Sequence, residues 1–265
     1  MKIFISADIE GTAGINHWEE TIHGNADWTE YRALMTAELL AACEGARAAG
    51  ATEVVVKDAH DSGRNLLVDR LPDYVRIVRN WSGHPDGMMF GLDASFAAAI
   101  YTGYHAKAGT EDNPLAHTMN LKISRMLLNG EVASELTVNA LCAALYDVPS
   151  VFLSGDAGIC ADARSMIPGI GTVETLFGAG PASNSIAPAR SCRLIREGVE
   201  AVLAARAGGM PATDGPWELV LEFVNPVNAY QSGWYPGARA HGPRAVAFAS
   251  DDFFEILRAL RFMKS

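Results

Sequence analysis

Residues 3–6 (IFIS) are a short apolar run that stops at Asp8-Ile9-Glu10-Gly11, the pattern of a buried strand delivering its carboxyl end to a polar loop. Asp27 and Glu30 stand at the N-cap and N3 spacing of a capping box, and the Ala/Leu-rich segment from there to residue 49, before Gly50, predicts a long helix. Residues 53–57 (EVVVK) predict the next strand, so strand, helix and strand follow one another as in a βαβ unit with a parallel sheet. Residues 74–78 and 97–102 predict further strands, and residues 125–132 predict a hairpin turning at Asn129-Gly130. A helix over 136–146, a buried strand over 150–153 and a helix over 157–166, ended by Pro168, continue the alternation to about residue 176. Residues 178–188 are rich in Gly, Pro, Ser and Asn. After them come a helix (189–207), a strand at 218–224, an irregular stretch, a strand at 244–249 and a last helix (252–262). The pattern predicts an α/β fold: a three-layer, mostly parallel sheet over residues 1–180 and a smaller α+β domain over 181–265.

Composition changes this picture mainly by exclusion. Apolar residues make up 49% of the 265, so a large core is available, and no run approaches the roughly 18 apolar residues of a membrane span. Asp8 and Glu10 stand where a secretory leader needs apolar residues, which makes the cytoplasm the expected location. Twenty-one basic residues against 31 acidic give a net charge of −10 with no basic block, a balance that argues against nucleic acid and anionic membrane as partners. Cys43, Cys142, Cys160 and Cys192 are far apart with no CxxC spacing; they are expected reduced and packed, neither bridged nor bound to zinc.

Candidate chemistry gathers at predicted strand ends: Asp8 and Glu10, Asp58 and His60, His105, then His117 and Glu135. A parallel sheet brings the carboxyl ends of its strands to one crevice, so these residues can converge. Carboxylates and imidazoles together suit zinc or another first-row divalent ion, and this set is large enough for a two-metal site. Each residue alone has a plainer reading. Asp-x-Glu after a strand also makes an Asx-turn or an N-cap. His60 and His117 fit solvent-facing roles, and Glu135 fits a helix start. His17, His23, His84 and His241 have no comparable setting. HExxH, GxSxG, GxxxxGK[ST] and strand-linked GxGxxG are absent, which leaves a metal-activated water as the favoured chemistry.

Ser6-Ala7-Asp8-Ile9-Glu10-Gly11 resembles the SxDxEG signature of the zinc-dependent D-aminopeptidases of the dipeptide-operon type. Lys57-Asp58-Ala59-His60 agrees in order and approximate position. So do residues 103–108 (GYHAKA), followed by His117-Thr118-Met119, and residues 134–140 (SELTVNA). The resemblance implies two zinc ions per subunit, with Asp8 bridging, Glu10, His60, His105 and Glu135 completing the ligands, and His117 catalytic beside them. It also implies removal of amino-terminal D-residues from short peptides by a ring-shaped homo-decamer. From the order of strands and helices, residues 1–180 are expected to be the catalytic domain and 181–265 to serve assembly. Two other readings use the same residues. One is a binuclear metallophosphoesterase drawing on Lys57, Lys107 and Arg64; the other is a non-catalytic binding protein for small peptides.

Overall fold

In the computed structural model, which describes residues 1–264, the opening apolar run becomes β1 (Lys2–Ala7). Its period-two alternation serves two covered faces, with Ile3, Ile5 and Ala7 on one and Phe4 on the other. The next element, α1 (Trp28–Ala48), presents Met35, Leu39, Ala42, Cys43 and Ala46 to the Ile3–Ile5 side at helical spacing. β2 (Glu53–Asp58) then returns parallel to β1, with Phe4 opposite Val55 and Ile5 opposite Val56. β3 (Val75–Val78) adds outside β2, and β4 (Ala98–Tyr104) adds on the far side of β1.

The hairpin of β5 (Ile123–Leu128) and β6 (Glu131–Val132) turns where expected, with Asn129 and Gly130 both at positive φ (52° and 84°), the backbone that a tight two-residue turn demands. The alternation resumes with α2 (Glu135–Leu145), β7 (Ser150–Asp156), α3 (Ala157–Met166), β8 (Gly171–Ala179), β9 (Ala182–Ser185) and α4 (Pro188–Ala204). β10 (Trp217–Phe223), α5 (Pro226–Ser232), β11 (Arg239–Gly242), β12 (Ala245–Ser250) and α6 (Phe253–Met263) complete the chain.

Seven strands form the first sheet in the order β3-β2-β1-β4-β7-β8-β9, parallel except for β9. Helices α1 and α4 cover one face. On the other, α2 and α3 share a continuous core with an antiparallel sheet ordered β11-β12-β10-β5-β6. The strand order reverses between β1 and β4, and at such a switch point the strand ends leave a crevice.

Three expectations need correction. The two sheets do not divide the chain at residue 180: β5 and β6 sit in the second sheet because β5 pairs with β10, Leu128 opposite Leu219, while β9 and α4 belong with the first. The stretch between the strands at 218–224 and 244–249 is not irregular, since it holds α5 and β11, and residues 178–188 include the turn at Gly180 by which β8 and β9 form an antiparallel edge hairpin. Asp27 makes no cap bond, because its own backbone is already helical (φ −67°, ψ −35°) and its side chain cannot reach back. All four cysteines are free, and three are buried. No helix among the described residues is long and apolar enough to cross a membrane.

Candidate metal centre

The Asp8–Gly11 segment runs on from β1 and stays tied to β4. Asp8 N donates to the Thr102 carbonyl (2.8 Å) and Gly11 N to the Gly103 carbonyl (2.9 Å). This approach leaves no room for side chains at two positions. A Cβ on Gly11 would stand 1.7 Å from the Tyr104 carbonyl oxygen, and one on Gly103, at φ +68°, would stand 2.2 Å from that of Asp8. The final glycine of the Ser-x-Asp-x-Glu-Gly segment is therefore what lets Asp8 and Glu10 turn into the crevice. Below them, Ser6 Oγ lies 2.7 Å from the Tyr104 hydroxyl, to which Asn139 Nδ2 donates (2.9 Å), joining β1, β4 and α2.

His60 arrives from the end of β2, His105 from the end of β4 and Glu135 from the first turn of α2, which Ser134 caps through the Thr137 N–H. His117 lies in the β4–β5 connection. Asn113 staples that connection down, donating from Nδ2 to the Glu10 carbonyl and to Asp156 Oδ2 (both 3.0 Å). All six expected site residues come together. Asp58 does not join them: its carboxylate accepts from Asn65 N, Leu66 N and Asn65 Nδ2 and holds the following loop.

Each imidazole uses one nitrogen on a backbone carbonyl, which can only accept, so that nitrogen carries the proton. His60 Nε2 donates to Thr21 (3.0 Å), His105 Nδ1 to Ala106 (3.0 Å) and His117 Nδ1 to Leu115 (2.9 Å). The opposite nitrogens turn to buried carboxylates. His60 Nδ1 is 3.2 Å from Asp8 Oδ1 and 3.1 Å from Glu10 Oε2; His105 Nε2 is 3.7 Å from Asp8 Oδ2 and 3.6 Å from Glu135 Oε1; His117 Nε2 is 3.8 Å from the same Glu135 oxygen. Neither oxygen of Glu10 accepts a well-directed hydrogen bond despite the near approach of His60, and His105 Nε2 has no partner. Potential ligand atoms lie within 4.8 Å of one another in three groups: Asp8–Glu10–His60, Asp8–His105–Glu135 and Glu10–His105–His117. Asp8 is common to the first two.

So much negative charge away from water asks for compensation. Burial, reinforced by Glu10, pushes Asp8 up to about 8. Burial opposes a charge on His105, but Glu135, Glu10 and Asp8 outweigh it and take that imidazole up to about 9. His117 moves the other way, lowered by burial and then by His105, on whose ring it stacks (centroids 4.2 Å apart, planes 10° apart). Protons or a divalent cation can supply the missing positive charge, and the carbonyl-anchored tautomers favour the cation, since they are how metal-ligating histidines are oriented. The centre opens into a cavity of about 510 Å³, within the range for small-molecule sites.

A family model described as D-aminopeptidase matches residues 1–262. The chain belongs to the D-aminopeptidase family. A D-aminopeptidase from Bacillus subtilis (strain 168) is 30% identical over 269 residues, which span 99% of this chain and 96% of that one. The solved structure of the zinc-dependent D-aminopeptidase DppA from Bacillus subtilis, described as a self-compartmentalizing protease, superposes with a TM-score of 0.93 at 29% identity, covering 100% of this chain and 97% of its own. With the D-aminopeptidase family assigned, the expected α/β architecture and the expected class, a metal-dependent peptide hydrolase, both stand.

Sequence reading misses several residues around this D-aminopeptidase-family centre. Asn113 and Asp156 act from 103 and 50 residues away on Glu10 and Ala106, and no local spacing announces such contacts. His84, set aside in the sequence, lines the cavity together with Trp81 and Lys264. The three cations named for the phosphoesterase reading do not line the cavity. Lys57 Nζ donates to the carbonyls of Asp58 and Asn80, Lys107 is held by Asp162, and Arg64 is exposed away from the cavity.

Proposed function

We propose that the chain removes amino-terminal D-residues from short peptides, using two zinc ions bridged by Asp8, one held also by Glu10 and His60 and the other by His105 and Glu135. The observation that carries this reading is the set of imidazoles whose tautomers are fixed by backbone carbonyls while their free nitrogens face buried carboxylates, of which Glu10 accepts no hydrogen bond at either oxygen. When bound, the ions supply Lewis acidity that activates water at neutral pH and polarises a carbonyl.

His117 moves the proton. With Nδ1–H committed to Leu115 and its pKa held below the usual histidine range, the ring is neutral at pH 7 and offers Nε2 as an acceptor. Nε2 takes a proton from water and, as an imidazolium donor, passes it to the leaving amine. Trp18 meets the His117 ring edge-on (5.3 Å between centroids), and His105 stacks on it, so the ring is held at one orientation. Stereochemical choice falls to the cavity walls, because the scissile carbonyl and the amine are fixed and only the side chain changes direction between D and L.

We extend the reading to a cytoplasmic homo-oligomer, a decameric ring in which the second sheet and α5 serve assembly. Tyr230 and Trp234 are 70% and 74% exposed, with Val224 and Val227 beside them in the chain, an apolar group that a further copy would cover. Zinc analysis combined with paired D- and L-alanyl p-nitroanilide assays tests the function. Wild type should carry about two zinc per chain and turn over the D substrate, and Asp8→Ala should lose metal and turnover together. Full activity in Asp8→Ala, or turnover of the L substrate alone, would overturn the proposal.

A further inference from the structure

One cation of the cavity has no role in the chemistry above. Lys264, the C-cap of α6, lines the cavity that Asp8, Glu10, His117 and Glu135 also line. Its backbone is clamped on both sides: Asn120 Nδ2 donates to the Lys264 carbonyl (2.8 Å), and the Ser232 hydroxyl donates to the neighbouring Met263 carbonyl (2.5 Å). The side chain is partly buried, and burial lowers its pKa below the usual lysine range against the raising effect of Glu135. Among the described residues, no carboxylate oxygen lies within 4.0 Å of Nζ; its one hydrogen-bond acceptor is the Met119 thioether at 3.5 Å. A thioether is a poor acceptor, so the ammonium keeps donors available to an anion in the cavity.

The same methionine fixes where this charge stands. Met119 N donates to Glu135 Oε1 (2.7 Å), while its sulfur touches Lys264 Nζ. The ammonium is thus one methionine side chain away from the metal-facing carboxylate, on the same cavity wall. Arg261, one turn earlier on α6, adds positive potential there. A peptide advances by about 3.5 Å per residue when extended. A substrate whose scissile carbonyl sits at the centre therefore brings its terminal carboxylate to this wall after one or two further residues.

We propose that Lys264 binds the free α-carboxylate of a di- or tripeptide substrate, making this cavity selective for short peptides with an unblocked carboxyl terminus. The proposal rests on the aminopeptidase reading of the centre and adds the recognition of the substrate's other end. Such a subsite discriminates by charge between substrates of equal size, which exclusion by size cannot do.

The test compares D-alanyl-glycine with D-alanyl-glycinamide, which differ only in the terminal charge, using zinc-loaded wild type, Lys264→Met and Lys264→Arg. Wild type should favour the acid in kcat/KM by about 10- to 100-fold, the range for a hydrogen bond to a charged group. Lys264→Met should bring the acid-to-amide ratio close to one, chiefly through KM, with zinc content unchanged, and Lys264→Arg should restore part of the preference. Calorimetry of the two ligands on metal-free protein separates the subsite from the reaction. Acid bound more tightly than amide by wild type, and equally by Lys264→Met, supports the subsite even if neither compound is hydrolysed, a result that would count against the aminopeptidase reading alone. A ratio near one in wild type, or one that survives Lys264→Met, overturns the proposal.

Discussion

Glu38 joins α1 to the segment just beyond the metal-facing carboxylates and to α4. Its Oε1 accepts from Ala13 N (2.9 Å) and Ser191 Oγ (2.7 Å), Oε2 has no partner, and the side chain is buried. Burial raises its pKa to about 7 from the ordinary 4.5, against the lowering effect of the Ser191 and Ala13 bonds. The folded state therefore binds a proton that the unfolded chain has released between those two values. Its contribution to stability is complete below about pH 4.5 and lost as pH rises through about 7. At about 1.4 kcal/mol per pH unit, the interval is worth about 3 kcal/mol. Glu38→Gln keeps an acceptor at Oε1 for both donors and cannot ionise. Any cost of its unpartnered amide nitrogen is independent of pH and drops out of a comparison across pH. Zinc-loaded wild type and variant unfolded in urea at pH 5 and pH 8 should differ between the two conditions by about 2.5 kcal/mol in favour of the variant at pH 8, because at pH 5 the unfolded carboxyl is already largely ionised, or about 5 °C in Tm for a chain of this size. A wild-type-minus-variant difference that stays flat from pH 5 to pH 8 would refute the reasoning.

His117→Ala should retain the zinc of wild type and lose about 10²- to 10⁴-fold in kcat, measured with parallel metal analysis; loss of the metal would make His117 a ligand instead. Zinc affinity, read by competition with a chelating dye, should weaken steeply from pH 9 to pH 5, because in the metal-free protein Asp8 at about 8 and His105 at about 9 hold protons that the ion must displace. A pH-independent affinity would exclude these ligands. Stripping zinc with a chelator should lower Tm, since the buried carboxylates then lack their cation, and re-addition should restore it. Gly103→Ala combines a left-handed backbone, itself costing about 1–2 kcal/mol, with a Cβ 2.2 Å from the Asp8 carbonyl oxygen, so its soluble yield should collapse. Wild-type yield and Tm for this variant would show that the β1–β4 junction is looser than described.

The parts of this fold that are legible in the sequence are those determined locally. β1, β2 and β4 are apolar runs ending in polar residues, and Asn129-Gly130 needs only its own backbone preferences to make a turn. The hairpin of β8 and β9 is hidden because its exposed edge carries Gly, Ser and Asn, the composition of a loop, while its strand geometry is imposed by pairing with β7. The membership of β5 in the second sheet is hidden for a related reason: its partner β10 lies some ninety residues later. At the metal centre, Asp8, Glu10, His60, His105, His117 and Glu135 are legible as residues at strand ends, but only the parallel topology makes neighbours of them. Asn113, Asp156 and Lys264 act through single contacts between distant segments, and one chain read from end to end carries no trace of such pairings.

The wall that carries Lys264 also bears on how the molecule comes into being. Leu257, Leu260 and Lys264 close one side of the substrate cavity, and the strand beside the His117 loop finds its main pairing partner only in β10. On the ribosome, a nascent chain of two hundred residues already contains every proposed zinc ligand but no closed chamber around them. A chain lacking α6 would keep every proposed zinc ligand but lose the wall that Leu257, Leu260 and Lys264 supply, so metal binding and peptide binding should part company at this helix.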